Sequence, residues 1–190
     1  MPMKKYPSAY WAALLMPLLL MLLPGCLLAP REQPESCFYD LAMPEKPQPQ
    51  NRFRWIVFDN DTPSRTRMLQ RQAGNRIVQD DYNCWVQTPE KMIQRYMTLA
   101  YPADSKTPSA NLADLRVTVT AFEFDTVKSE AVLSLNYTLK KGSLRYSGAI
   151  TVRKKFQTAQ APAMAAAMDQ AVAEATTKLY QAVCSSLERP

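Results

Sequence analysis

Apolar and polar residues alternate with a period of two along residues 115–153, and they follow a helical period in the blocks on either side. In LRVTVTAFEF (115–124), Leu115, Val117 and Val119 share one face while Phe122 and Phe124 fall on the other, which predicts a strand with a bulge near Ala121. AVLSLNYTL (131–139) sets Leu133, Leu135, Tyr137 and Leu139 opposite Ser134, Asn136 and Thr138, and LRYSGAITV (144–152) repeats the scheme with Leu144, Tyr146, Ile150 and Val152. With KKGS (140–143) as the turn, these segments predict an antiparallel meander with one packed face and one wet face. Upstream, Thr88 is an N-cap candidate, Pro89 suits the first helical position, and Met92, Ile93, Tyr96, Met97 and Ala100 form one apolar face of a helix stopped by Pro102. A second helix of about seven turns is predicted over residues 161–187, with a stripe of Met164, Met168, Ala171, Val172, Ala175, Leu179, Ala182, Val183 and Leu187.

Residues 36–85 are patterned less sharply. SCFYDLAM (36–43) reads as a short strand, the proline-rich 44–51 as a connector, and FRWIVF (53–58) as a strand buried largely on both faces. DNDTPS (59–64) reads as a turn, because no calcium loop follows Asp59 and Asp61. TRMLQRQ and NRIVQ flank Ala73-Gly74-Asn75 as a hairpin. The sum is an α+β fold: an antiparallel sheet with a three-stranded C-terminal meander and two helices packed on one face.

The N-terminal block differs in kind. After Lys4-Lys5, an uncharged apolar run extends from Ala9 to Leu23, short of the roughly 20 residues that a spanning helix needs, so it reads as a cleavable leader. It ends in Leu23-Pro24-Gly25-Cys26, which resembles a bacterial lipoprotein signal, with a small residue before a cysteine that takes a diacylglycerol thioether. The expected organisation is a signal peptide over 1–25, a lipidated tether over 26–35 and a single domain over 36–188. Lipid attached at Cys26 would hold the chain at a membrane, since each buried CH₂ contributes about 0.8 kcal/mol. Leu27 rather than Asp follows the cysteine, and the resemblance implies onward transport to the outer membrane, with the domain facing the periplasm.

Composition narrows the chemistry. The chain lacks histidine, which removes Ser-His-Asp and Cys-His catalysis, and its four glycines form no nucleotide-binding motif. No cofactor and no metal are indicated. Removing residues 1–25 takes Lys4 and Lys5 from the 23 basic side chains and leaves the 17 acids, so the net charge falls from +6 to +4. The basic clusters Arg65, Arg67, Arg71, Arg76 and Arg153-Lys154-Lys155 read as solvated faces, and nucleic acid is not an expected partner. Three cysteines remain besides Cys26, namely Cys37, Cys84 and Cys184; they are disulfide candidates with three alternative pairings and one thiol left over.

The early FYDL strand, the D-x-P-S turn, the tryptophan before a proline-started helix (CWVQTPEKMIQRYM), the meander and the final alanine-rich helix follow one another in an order that resembles the ABC-type transport auxiliary lipoproteins, the PqiC-like family. That resemblance implies a noncatalytic outer-membrane lipoprotein subunit working with an MCE-domain protein that carries lipids or other hydrophobic molecules across the periplasm. It makes Trp85 a candidate partner contact, beside its reading as a core or helix-cap packing residue, and it leaves room for a homo-oligomer. Two alternatives stand beside it: a structural or assembly lipoprotein of another envelope export complex, and a carboxylate-dependent glycosidase using two of Asp59, Asp61, Asp80, Asp81, Glu123 and Asp125.

Overall fold

A computed structural model describes residues 34–44, 47, 53–63, 65–102 and 112–188. The expected leader, the lipidation position Cys26 and the tether up to residue 33 lie outside the described residues. The elements are β1 (Cys37–Tyr39), β2 (Phe53–Asn60), β3 (Arg67–Arg71), β4 (Ile77–Trp85), α1 (Pro89–Ala100), β5 (Ala113–Asp125), β6 (Glu130–Lys141), β7 (Leu144–Lys155) and α2 (Ala161–Leu187).

The meander is as the alternation predicts. β5 pairs antiparallel with β6, and β6 with β7, and the β5–β6 register shifts between Val119 and Ala121, at the expected bulge. Before the shift Leu115, Val117 and Val119 are buried, and after it Phe122 and Phe124 are. One extra residue therefore keeps both apolar runs of β5 on the same side of the sheet. The β6–β7 turn places Gly142 at φ +58°, a left-handed conformation that glycine adopts without strain.

The rest of the sheet is mixed, which corrects the expectation of an antiparallel one. The strand order is β1-β4-β3-β5-β6-β7, with β2 also paired to β5. β1 runs parallel to β4, and both β2 and β3 run parallel to β5; only β3–β4, β5–β6 and β6–β7 are antiparallel. Period-two alternation assigns side chains to faces but carries no strand direction. Direction comes from the connections, and parallel neighbours need a crossover such as the one that includes α1 between β3 and β5. The free edge of β5 is shared, because β2 pairs with residues 113–119 and β3 with Phe124 and Asp125. In β2 Phe53 is buried, Arg54 is exposed, and Val57 and Phe58 are half-buried.

The expected hairpin joins β3 and β4 through a single 3-10 turn at Ala73–Asn75, with Gly74 at φ +70° and Asn75 at φ +60°. α1 starts at Pro89, takes Thr88 as N-cap residue and buries Met92, Ile93, Met97 and Ala100. The Thr88 hydroxyl bonds the Glu90 carboxylate and makes no hydrogen bond to the helix backbone. α2 buries Met164, Met168, Ala171, Val172, Ala175, Leu179 and Val183 of the expected stripe, and Leu187 packs partly against the core. Its alanines let the helix approach β6 and β7 closely, while α1 packs on β2 and β5. Both helices and the apolar sheet face meet in one core. The opposite sheet face stays wet: across the strands Ser134 bonds Thr151 at 2.9 Å and Thr138 bonds Ser147 at 3.1 Å.

Candidate functional site

Trp85 ends β4 and is 1% exposed. Its ring lies edge-on to Phe122 at 5.1 Å and stacked with Phe124 at 6.1 Å, and Phe124 in turn meets Phe156 at 6.3 Å. An indole enclosed in this way presents no surface to a partner. It joins β4, β5 and the segment after β7 into one aromatic cluster, with edge and offset geometries that favour such pairs beyond burial alone.

Cys37, Cys84 and Cys184 are free thiols. In the β1–β4 ladder Cys37 is opposite Asn83 and Phe38 is opposite Cys84. Consecutive strand residues point to opposite faces, so the side chains of Cys37 and Cys84 are directed away from each other.

Of the six carboxylates considered for catalysis, Asp80, Asp81, Glu123 and Asp125 have structural partners. Glu123 accepts two hydrogen bonds from Arg71, from Nε at 2.6 Å and from Nη2 at 3.0 Å. Asp125 accepts the Lys128 N–H at 2.9 Å and closes the β5–β6 turn. Asp80 accepts the backbone N–H groups of Tyr82 and Asn83, at 3.0 and 2.9 Å, and the side chains of Asn83 and Gln70, at 2.9 and 3.2 Å. Partial burial raises its pKa, but those hydrogen bonds outweigh it and hold the carboxyl below its ordinary value. Asp81 pairs with Arg67 at 2.5 Å, and Asp59 and Asp61 are exposed around a turn in which Asn60 accepts the Thr62 N–H at 2.9 Å. Among the described residues no cluster of potential metal ligands occurs.

The basic residues that stand out in the sequence are largely engaged with acids. Arg71 holds Glu123, Arg67 holds Asp81, Arg153 and Lys155 face Glu130 at 3.5 and 3.2 Å, and Lys154 holds Glu174 at 2.6 Å. Glu174 also pairs with Lys178 at 2.7 Å, and hydrogen bonds from the two lysines lower its pKa to about 2.

A different cationic group forms on the wet face, apart from the basic clusters named above. Register sets Arg54 beside Asp114, Asp114 beside Lys140, and Lys140 beside Arg145, in one row across β2, β5, β6 and β7. The next row sets Arg116 beside Thr138 and Thr138 beside Ser147. Arg54 Nε donates to Asp114 Oδ1 at 2.5 Å. Among the described residues no carboxylate pairs with Arg116, Lys140 or Arg145. The hairpin KKGSLR was the available signal: a tight turn after Lys141 forces Lys140 opposite Arg145, whereas Arg116 joins them only through the register of β5 on β6.

A search of curated proteins finds no match. Two crystal structures share the fold. One, of an uncharacterized protein, aligns with a TM-score of 0.64 at 15% identity over 79% of this chain and 99% of its own. The other, of a protein from Xanthomonas campestris, aligns with a TM-score of 0.61 at 22% identity over 75% of this chain and 92% of its own. Residues 61–179 match the ABC-type transport auxiliary lipoprotein component, a span from the loop after β2 into α2 that takes in the whole meander and covers more than half of the chain. The chain therefore belongs to the ABC-type transport auxiliary lipoprotein family.

Proposed function

We propose that this chain is a noncatalytic lipoprotein subunit of an ABC/MCE-type intermembrane transport system for lipids or other hydrophobic substrates. It is anchored through Cys26 in the outer membrane, and its folded domain faces the periplasm and docks on the MCE-domain component. The observation that carries this reading is the family match over residues 61–179, joined to the lipoprotein-like Leu23-Pro24-Gly25-Cys26 at the end of an apolar leader. The structural partners of Asp80, Asp81, Glu123 and Asp125 support a noncatalytic role, since each stabilises a turn or a strand pair. Cys26 supplies placement and the domain supplies the grip.

The test is expression of the full chain and of Cys26→Ser, followed by membrane fractionation, intact-mass analysis and affinity purification. The wild type is expected in outer-membrane fractions, with a mature terminus at Cys26 carrying acyl chains, and in a complex with an MCE-domain protein. Cys26→Ser is expected to retain the leader and to miss the outer membrane. An unacylated wild-type terminus would remove the anchoring role, and co-purification with a different envelope export complex would favour the assembly-lipoprotein alternative.

A further inference from the structure

The end of the wet sheet face next to the β6–β7 turn forms an open cleft of about 600 Å³, within the size range of small-molecule sites. Its walls are the two cross-strand rows described above: Arg116, Lys140 and Arg145 supply charge, Thr138 and Ser143 supply hydroxyls, and the Gly142 turn closes the rim. Asp114 also lines the cavity, but Arg54 already holds its carboxylate. Counting Arg54, Arg116, Lys140 and Arg145 against Asp114 leaves a net +3 on this corner of the sheet.

We propose that this cleft binds a phosphomonoester. Lys140 and Arg145 are direct cross-strand neighbours, and like charges placed opposite each other on a sheet destabilise it. An anion seated between them removes that repulsion. A carboxylate brings one charge and two oxygens, and it would leave most of the excess uncompensated. A phosphomonoester brings roughly two negative charges and three acceptor oxygens in a compact tetrahedron, matching two guanidinium groups, an ammonium and nearby hydroxyls. A soluble phosphate ester and a lipid with a terminal phosphate share that chemistry. The inference is independent of docking to a transporter, so loss of phosphate binding would leave co-purification with an MCE-domain protein intact, and the converse holds.

The test uses the full lipidated chain in non-ionic detergent, with backbone amide NMR at fixed ionic strength. Inorganic phosphate, glycerol 3-phosphate and dihexanoyl phosphatidic acid are the probes, and dihexanoyl phosphatidylcholine and sodium chloride are the controls. Saturable shifts of the Gly142 and Ser143 amides with glycerol 3-phosphate identify a soluble ester; saturation by phosphatidic acid alone identifies a lipid. Lys140→Gln and Arg145→Gln are each expected to weaken binding about three- to tenfold while the other amide signals stay in place. The same two variants should melt no lower than the wild type without ligand, because each removes a like-charge contact. If either variant unfolds, Arg116→Gln provides the same comparison from the neighbouring row. No saturation with any probe, an equal response to chloride, or undiminished binding in the Lys140→Gln/Arg145→Gln double variant would overturn the proposal.

Discussion

Asp169 shows how a single ionisable group responds to its position. It lies half-buried on α2, where its carboxylate accepts the Ala42 N–H at 3.1 Å. Burial raises its pKa, the Ala42 bond offsets part of that, and nearby Asp40 adds to the rise. The folded chain thus holds this proton more tightly than the unfolded chain does, and ionising the group at neutral pH opposes folding. Asp169→Asn is neutral at every pH and can still accept from Ala42. Its melting temperature is expected to exceed that of the wild type at pH 7, and the gap should close as the pH falls below the ordinary aspartate value of about 3.9. Asp80 and Glu174 carry the opposite sign: their lowered pKa values give stability that is present at neutral pH and is lost on acidification. Both titrate in either protein, so only the difference between the two melting curves reports Asp169. Trp85 offers a second test at this scale. Truncation to Ala removes the centre of the aromatic cluster and is expected to cost about 3–5 kcal/mol in chemical denaturation. Trp85→Phe should keep most of the packing and leave partner capture unchanged, whereas a direct contact residue would lose capture without losing stability.

Among the elements, the best-read ones are those whose two faces differ most in polarity. α2 has the residue range that its Met/Ala stripe predicts, and the β5 bulge is visible in the switch from Val119 to Phe122. β2 is harder to read, because its mixed aromatic and aliphatic run suggests burial on both faces while Arg54 serves an ion pair on the wet side. The cleft cations are separated by 24 and 5 residues along the chain, Arg116 to Lys140 and Lys140 to Arg145, and only strand pairing unites them. Strand direction was hidden for a similar reason, since it depends on how connections cross and not on side-chain periodicity. The β6–β7 pair also holds a close approach that no pattern reveals. Gly148 faces Tyr137 across the ladder, and a Cβ added at Gly148 would lie 2.6 Å from Tyr137 Oη and 2.7 Å from Cε1. Gly148→Ala is expected to lose about 1 kcal/mol in urea unfolding as the ring is displaced. In a Tyr137→Ala background that loss should shrink toward zero, which a double-mutant cycle would measure.

For the whole molecule, the described residues from Ser36 to Glu188 form one compact unit, and α1 and α2 enter a single core with the sheet. Beginning and end of the folded part differ in how they are secured. β1 has three residues and three register pairs with β4, while the long α2 is buried along its length. Immediately after β1 the attachments become stronger: Asp40 pairs with Arg95, Leu41 is buried, and the Ala42 N–H bonds Asp169. On the anchoring at Cys26 proposed above, tension on the chain would reach Cys37–Tyr39 before the rest of the sheet. Release of those three residues would lengthen the tether by up to about 10 Å, and the buried Leu41 is the next point of attachment.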